Sequence, residues 1–186
     1  RMLVVSALSN TGGAFLARGD LDSAELMFNK ALTLRRSIDS KADTTLASII
    51  GNLGSVAHGR GRPIDSERLH RESINVFRQA LGPRDDKVAA EMNNLAVALG
   101  EENKWSEAEA MHRSAIAIFK ANHAGINTFV ADAENSLATA LDIQGKNAAA
   151  ESTYIEVLNM RRQLLGPTHP DYAWTLFNYS MFLSYT

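Results

Sequence analysis

Apolar residues recur with helical spacing in two adjacent segments between residues 88 and 119. In the first segment they step by four, three and four residues, which places them on one stripe of a helix: Val88, Met92, Leu95 and Leu99. The second segment has a similar stripe, formed by Ala108, Met111, Ala115 and Ile118. The break at residues 100–104 is too short for anything but an antiparallel return, so the pattern predicts a hairpin of two amphipathic helices.

The same hairpin pattern repeats along the chain every 42 residues, without insertions. One set of equivalent positions is mostly apolar: Val4, Leu46, Val88, Val130 and Tyr172. Another set holds small residues: Gly12, Gly54, Ala96, Ala138 and Ser180. Because many positions agree at a single period, the sequence predicts an array of stacked hairpins rather than an ordinary helical bundle.

The ends of the predicted helices are marked at the same period. Residues that can cap a helix N-terminus precede each first helix after the opening one: Asp43, Asp85, Asn127 and His169. Residues tolerant of left-handed backbone mark the turns: Gly19, Gly61, Asn103 and Gly145. These signals predict one array over residues 1–186, with hairpins near residues 1–39, 40–81, 82–123 and 124–165 and a lone first helix over residues 170–186.

Small residues also suggest how each hairpin closes. The column at positions 12, 54, 96 and 138 is expected to face alanine or serine at positions 24, 66, 108 and 150, which would let the two helix axes approach closely. The larger residues must then be buried against the next hairpin. We therefore expect an all-α superhelix with an inner and an outer wall.

Several of these features resemble the tetratricopeptide repeat (TPR). The first repeat has small residues at positions 12 and 24, an aromatic residue at 28 and alanine at 31. The 42-residue period and three segments, residues 91–96, 105–109 and 165–171, resemble the kinesin-light-chain subtype. The resemblance implies a right-handed α-solenoid of about four and a half TPR units, an architecture shared by motor adaptors, signalling scaffolds and arrays attached to bacterial kinases or ATPases.

In proteins of this kind the first helices line the concave inner wall, which binds an extended or helical peptide. The resemblance places one residue of each repeat at its centre: Asn10, Asn52, Asn94, Ser136 and Asn178. A primary amide both donates and accepts hydrogen bonds, so these asparagines could pair with a peptide backbone of any sequence. The alternative is that the amides bond to neighbouring helices and support the fold.

The inward positions that flank this column are not basic. Four residues earlier stand Ser6, Ser48, Ala90, Asp132 and Trp174, and three residues later stand Gly13, Ser55, Val97, Thr139 and Met181. TPR domains that clamp a terminal carboxylate carry lysine or arginine at these positions. We therefore do not expect a carboxylate clamp, and Ser48 and Ser55 join the candidate peptide-binding residues.

The inward side of the last helix is apolar, with Trp174, Phe177 and Met181 close together. This group could anchor a hydrophobic side chain of a ligand. It could instead be shielded by further sequence, because both chain ends lie inside apolar patterns and indicate a piece of a longer protein. A third interpretation is self-association through the exposed terminal helices.

Composition limits the remaining functions. The net charge of -2 provides no positive field for nucleic acid or anionic membranes. The absence of cysteine excludes disulfides and thiolate metal sites, and we expect a cytoplasmic protein. The five histidines lack metal-ligand spacing, so no metal and no cofactor are expected.

The function favoured by the sequence is a non-catalytic protein- or peptide-binding scaffold. A regulatory or sensory segment of a larger bacterial signalling enzyme, such as a kinase or ATPase, is the first alternative. A self-assembly module is the second alternative. An independent enzyme is the least favoured, because no grouping of nucleophile, acid and base stands apart from the repeat.

Overall fold

The computed structural model describes residues 1–38 and 43–186. All regular elements in this part of the chain are helices: α1 (Met2–Ala17), α2 (Leu21–Arg36), α3 (Thr44–Gly59), α4 (Pro63–Leu81), α5 (Asp86–Glu101), α6 (Trp105–Asn122), α7 (Thr128–Ile143), α8 (Asn147–Leu165) and α9 (Pro170–Leu183). The all-α prediction is confirmed. The predicted boundary between the first two hairpins, at residues 39 and 40, lies outside the described residues.

The predicted N-terminal caps are all formed. Each side chain accepts a hydrogen bond from a backbone N–H in the first turn of its helix: Asp43 from Leu46, Asp85 from Lys87, Asn127 from Val130 and His169 from Asp171. Pro170 occupies the first turn of α9, where its missing N–H costs nothing. These caps satisfy backbone donors that the helix itself leaves unpaired.

The turns inside the hairpins have the left-handed backbone that the sequence predicts. The φ angles are 75° at Gly19, 65° at Gly61, 60° at Asn103 and 70° at Gly145. Glycine adopts this conformation without a steric penalty, and asparagine tolerates it better than most residues. The repeated turn residues therefore end each first helix at an equivalent point.

The described helices form two compact units, which we call the N-terminal unit (residues 1–102) and the C-terminal unit (residues 103–186). In the N-terminal unit α1 packs on α2, α3 packs on α4, and α3 also contacts α1, α2 and α5. One buried cluster in this unit joins residues of the first three helices: Val5, Ala24, Phe28, Ala31, Ile49, Leu53 and Val56.

In the C-terminal unit α7 packs against α6 and α8, and α9 closes the unit by packing on α7 and α8. The buried ring of Tyr154 on α8 contacts Tyr179 and Phe182 of α9, with ring centroids 5.7 and 5.9 Å apart. Thr175 and Phe182 are the buried residues of α9. This aromatic group anchors the last helix and leaves its other side exposed.

The helices pack closely at the small-residue column, as predicted, but the small residues contact aromatic rings of the second helix rather than its small residues. A Cβ atom added at Gly12 would lie 2.8 Å from Cε1 of Phe28, and one added at Gly54 would lie 2.8 Å from Nε2 of His70. The nearest neighbours are therefore the rings at positions 28 and 70. The small residues Ala24 and Ser66, which we expected to provide the contact, are themselves fully buried.

Candidate functional site

Five of the predicted peptide-binding residues lie on the first helices of the N-terminal unit. We call this group the asparagine face: Asn10, Ser48, Asn52, Ser55 and Asn94. Its residues stand on α1, α3 and α5, and α3 contacts both of the other helices. Asn10 is exposed, whereas the other four are half-buried. Half-burial leaves a polar side chain accessible while neighbouring atoms restrict its orientation.

The asparagine amides of this face make no side-chain hydrogen bond to another described residue. The hydroxyl of Ser55 donates a long bond of 3.4 Å to the carbonyl oxygen of Gly51 in its own helix, and its lone pairs still accept. The face therefore presents amide donors and acceptors with little competition from within the unit.

The other predicted residues lie in the C-terminal unit. Ser136 on α7 is half-buried, and its hydroxyl donates to the carbonyl oxygen of Asp132 at 3.2 Å. Asn178 on α9 is also half-buried. Trp174, Phe177 and Met181 are 59%, 54% and 49% exposed, and the rings of Trp174 and Phe177 stack with centroids 5.8 Å apart. We call these three residues the α9 patch.

A buried arginine, which the sequence did not reveal as a site residue, contacts Asp132 at one of the predicted inward positions. Arg161 on α8 is 5% exposed, and its guanidinium is 2.7 Å from Oδ1 of Asp132. It also donates to the carbonyl oxygen of Asp171 and to Oγ1 of Thr175, both at 2.6 Å. Asp132 is the one acidic residue in the columns that the sequence predicts to face inward, and its carboxylate is already ion-paired with Arg161.

The histidines at the aromatic column are buried, as their repeat position predicts. His70 on α4 is 2% exposed, and its Nδ1 lies 2.8 Å from Oε2 of Glu91 on α5. Burial lowers the pKa of His112 from 6.5 to about 4, so this imidazole is neutral at physiological pH. No group of three or more potential metal ligands is present in residues 1–38 and 43–186.

Two clefts lie between second helices, one in each unit. The N-terminal cleft, between α2, α3 and α4, has a volume of about 270 Å³. The ion pair between Arg36 and Glu72, 3.0 Å long, spans it from α2 to α4. The C-terminal cleft, between α6, α7 and α8, has a volume of about 370 Å³. Neither cleft was predicted from the sequence, because three separate helices line each of them.

The C-terminal cleft contains an acid at a position that is apolar elsewhere. Glu134 occupies the column of Leu8, Ile50, Met92 and Leu176, and it is the one charged member. Its side chain is nevertheless buried, and Lys120 of α6 approaches its Oε1 to 2.6 Å. This departure from the repeat was the available signal for a site here.

The TPR family model, described as "Tetratricopeptide repeat", matches residues 45–121 and 129–185. No curated protein matches the chain. Within the described residues, no helix is both long enough and apolar enough to cross a membrane.

Several solved structures share the fold. BtubC (BKLC) from P. vanneervenii superposes with a TM-score of 0.82 at 23% identity, over 97% of this chain and 72% of its own. A kinesin light chain candidate from Podosopora anserina, with nearly identical TPR-like repeats, gives 0.80 at 13% identity, over 97% and 85%. The apo form of RapI gives 0.80 at 14% identity, over 97% of this chain and 63% of its own. These similarities show that the fold is an array of TPR-like repeats, like that of the kinesin light chain candidate.

Proposed function

Since the chain belongs to the tetratricopeptide repeat family, we propose that it is a non-catalytic scaffold that binds an extended peptide along the inner wall formed by its first helices. The fold itself is that of a general protein-interaction scaffold. The proposal that it binds an extended peptide rests on one observation about the asparagine face. The side-chain amides of Asn52 and Asn94 are half-buried on neighbouring helices, and they form no hydrogen bond with another described residue.

Hydrogen-bonding chemistry explains why asparagine suits this role. Each amide donates through its nitrogen and accepts through its oxygen, so it pairs with both the C=O and the N–H of a peptide bond. Ser48 and Ser55 stand beside Asn52 on the same helix and add further acceptors. A wall of this kind selects a ligand by its backbone and shape, since neither flanking column is basic.

The proposal is tested with the double variant Asn52→Ala and Asn94→Ala. A peptide selected from a random library against the wild-type chain is labelled, and its affinity is measured by fluorescence polarisation. Loss of two hydrogen bonds is expected to weaken binding by about tenfold or more. The matched control is Asn75→Ala with Asn159→Ala, which removes two exposed amides from the second helices α4 and α8.

The backbone part of the proposal has its own readout. N-methylation of single peptide bonds in the selected ligand removes an N–H while it keeps every side chain. At the bonds that pair with the asparagines, we expect methylation to weaken binding as much as the double variant does. The proposal is wrong if the double variant binds the selected peptide as tightly as the wild-type chain does and also unfolds at the same temperature.

The α9 patch supports self-association as a second candidate function. Three large apolar side chains about half exposed on one helix form the type of surface that proteins bury in an interface. We propose that a second copy covers the patch through its own terminal helices. Sedimentation velocity should then show a dimer that Trp174→Ser with Phe177→Ser converts to a monomer, and a wild-type monomer at high concentration would exclude this function.

A further inference from the structure

The two clefts are equivalent in the repeat, and they differ in one informative position. Except for Ala117, each residue that lines the C-terminal cleft lies 84 residues, or two repeats, after a residue that lines the N-terminal cleft. On the helix between the two second helices, Ile50 in the first cleft corresponds to Glu134 in the second. The N-terminal cleft therefore serves as a reference that shows how the buried acid Glu134 changes the C-terminal cleft.

That acid changes how the charges are paired. In the N-terminal cleft Arg36 bonds to Glu72 and joins α2 to α4. In the C-terminal cleft the equivalent base, Lys120, instead lies on Glu134. Glu156, which is equivalent to Glu72, makes no ion pair with a described residue. The cleft consequently has an uncompensated carboxylate at its edge.

Glu134 also carries an unused hydrogen-bond acceptor. The residue is only 5% exposed, and Oε1 is held by the ammonium group of Lys120. Its other oxygen, Oε2, is fully buried and accepts no hydrogen bond from any residue that the structure describes. A buried carboxylate oxygen without a donor is unfavourable, so it is rare unless a donor arrives from elsewhere.

We propose that the C-terminal cleft binds the side chain of an arginine from a partner polypeptide. The guanidinium group donates one hydrogen bond to Oε2 of Glu134 and further bonds to Glu156. The aliphatic part of the arginine packs on Ile116 and Leu137, which line the same cleft. Its volume of about 370 Å³ falls within the range of about 300–1,000 Å³ that is usual for ligand clefts.

The chemistry favours a guanidinium group over an ammonium group. Guanidinium is more weakly hydrated, so it loses less on entering a buried site, and its planar fork of donors can reach two carboxylates at once. The bases already present have partners of their own: Arg113 bonds to Glu109 at 2.9 Å, and Lys120, whose side chain is 57% exposed, bonds to Oε1 of Glu134 at 2.6 Å. Glu156 supplies the negative charge that an incoming cation requires.

This cleft is independent of the asparagine face and of the peptide site proposed above. In α7, Glu134 precedes the inward Ser136 by two residues, which places the two side chains on nearly opposite sides of the helix. The cleft also lies within the C-terminal unit, whereas the asparagine face belongs to the N-terminal unit. A failure of one proposal therefore leaves the other intact.

The test uses Nα-acetyl-L-arginine amide as the probe, titrated into the ¹⁵N-labelled chain and followed by NMR. We expect saturable shifts of the backbone amides of Leu137 and Thr153. Glu134→Gln should weaken binding by about tenfold or more, because it removes a charge-assisted bond. Glu134→Ile, which introduces the residue found at position 50, should abolish binding while it preserves the fold.

Matched controls separate the site from general charge effects. Glu72→Gln changes the equivalent acid of the N-terminal cleft and should leave binding unchanged, whereas Glu156→Gln should weaken it. Nα-acetyl-citrulline amide, a neutral analogue of nearly the same shape, should bind at least about tenfold more weakly than the arginine probe. The double variant Asn52→Ala and Asn94→Ala should bind the probe normally.

Three results would each overturn the proposal: absence of saturable shifts in the wild-type chain, equal affinity for the citrulline analogue, and unchanged affinity in both Glu134 variants. The side chain of Lys120 is 57% exposed, so water can solvate its charge when Glu134 is replaced. Glu134→Ile therefore removes a buried charge without leaving another one buried, and its fold is expected to be about as stable as wild type. Loss of binding in this variant therefore reports on the site and not on unfolding.

Discussion

Nδ1 of His70 lies 2.8 Å from Oε2 of Glu91, which joins a buried imidazole on α4 to a carboxylate on α5. Two glycines of α3 make room for this pair. A Cβ at Gly54 would lie 2.8 Å from the His70 ring, and one at Gly51 would lie 2.8 Å from Cδ of Glu91. The absence of side chains at two positions of one helix thus permits a polar contact between the two helices that follow it.

Gly54→Ala is expected to lower the free energy of unfolding by about 1–3 kcal/mol, because the added methyl group overlaps a buried ring. The ring cannot retreat without disturbing its bond to Glu91. Urea denaturation followed by circular dichroism measures the change. The matched control is Gly13→Ala in α1, where a Cβ would meet no atom within 4 Å. Alanine there should stabilise the helix by up to about 1 kcal/mol, and a similar gain at Gly54 would contradict the prediction.

Gly51 and Glu91 should be energetically coupled. Glu91→Ala alone is expected to cost about 1–3 kcal/mol, since His70 loses a buried partner. Gly51→Ala alone should also destabilise, because its methyl group displaces the carboxylate. In the Glu91→Ala background the same alanine meets no carboxylate and should be neutral or stabilising. A double-mutant cycle by urea unfolding should give a coupling of at least about 1 kcal/mol, and simple additivity would refute the contact.

The repeat period predicted those features that depend on local backbone chemistry. Four residues cap first helices because they occupy the same position of successive repeats: Asp43, Asp85, Asn127 and His169. Asn103 adopts the left-handed turn of its glycine equivalents for the same reason. Helix caps and turns depend on the residue types within a few positions of each other, so almost all of the information needed to predict them is present in the local sequence.

Contacts between side chains on different helices were not predictable in this way. Arg161 and Arg35 share a repeat column with Phe77 and Phe119, and nothing in that column shows that the arginines are buried on acids. Glu134 was visible as the charged residue of an apolar column, but its pairing with Lys120 required the structure. The peptide-binding role of the asparagines remains a prediction, since it depends on a ligand.

Arg161→Met should loosen the last helix more than the rest of the chain. The guanidinium bonds to Asp171 and Thr175 of α9, so its removal withdraws the polar contacts at the start of that helix. Hydrogen exchange measured by mass spectrometry should show faster exchange over residues 170–178. The neighbouring exposed Arg162→Met is the control and should change exchange little. Equal protection of α9 in both variants would show that aromatic packing alone holds the helix.

His112 should make the stability of the chain depend on pH. Its folded-state pKa is about 4 because of burial, whereas the unfolded value is about 6.5. As the pH falls below 6.5 the unfolded chain therefore binds the proton first, and stability decreases until the folded chain is also protonated near pH 4. The shift corresponds to a loss of about 3 kcal/mol across this window.

The test is urea unfolding of wild type and His112→Tyr at several pH values between 4 and 7. Tyrosine occupies the equivalent buried position 154 and has no charge in this range, so the variant should lose less stability as the pH falls. His58→Gln, which changes a histidine at an exposed position, is the control and should retain most of the wild-type slope. Parallel pH profiles for wild type and His112→Tyr would show that His112 does not bind the proton preferentially in the unfolded chain, and its buried environment would then have to be reconsidered.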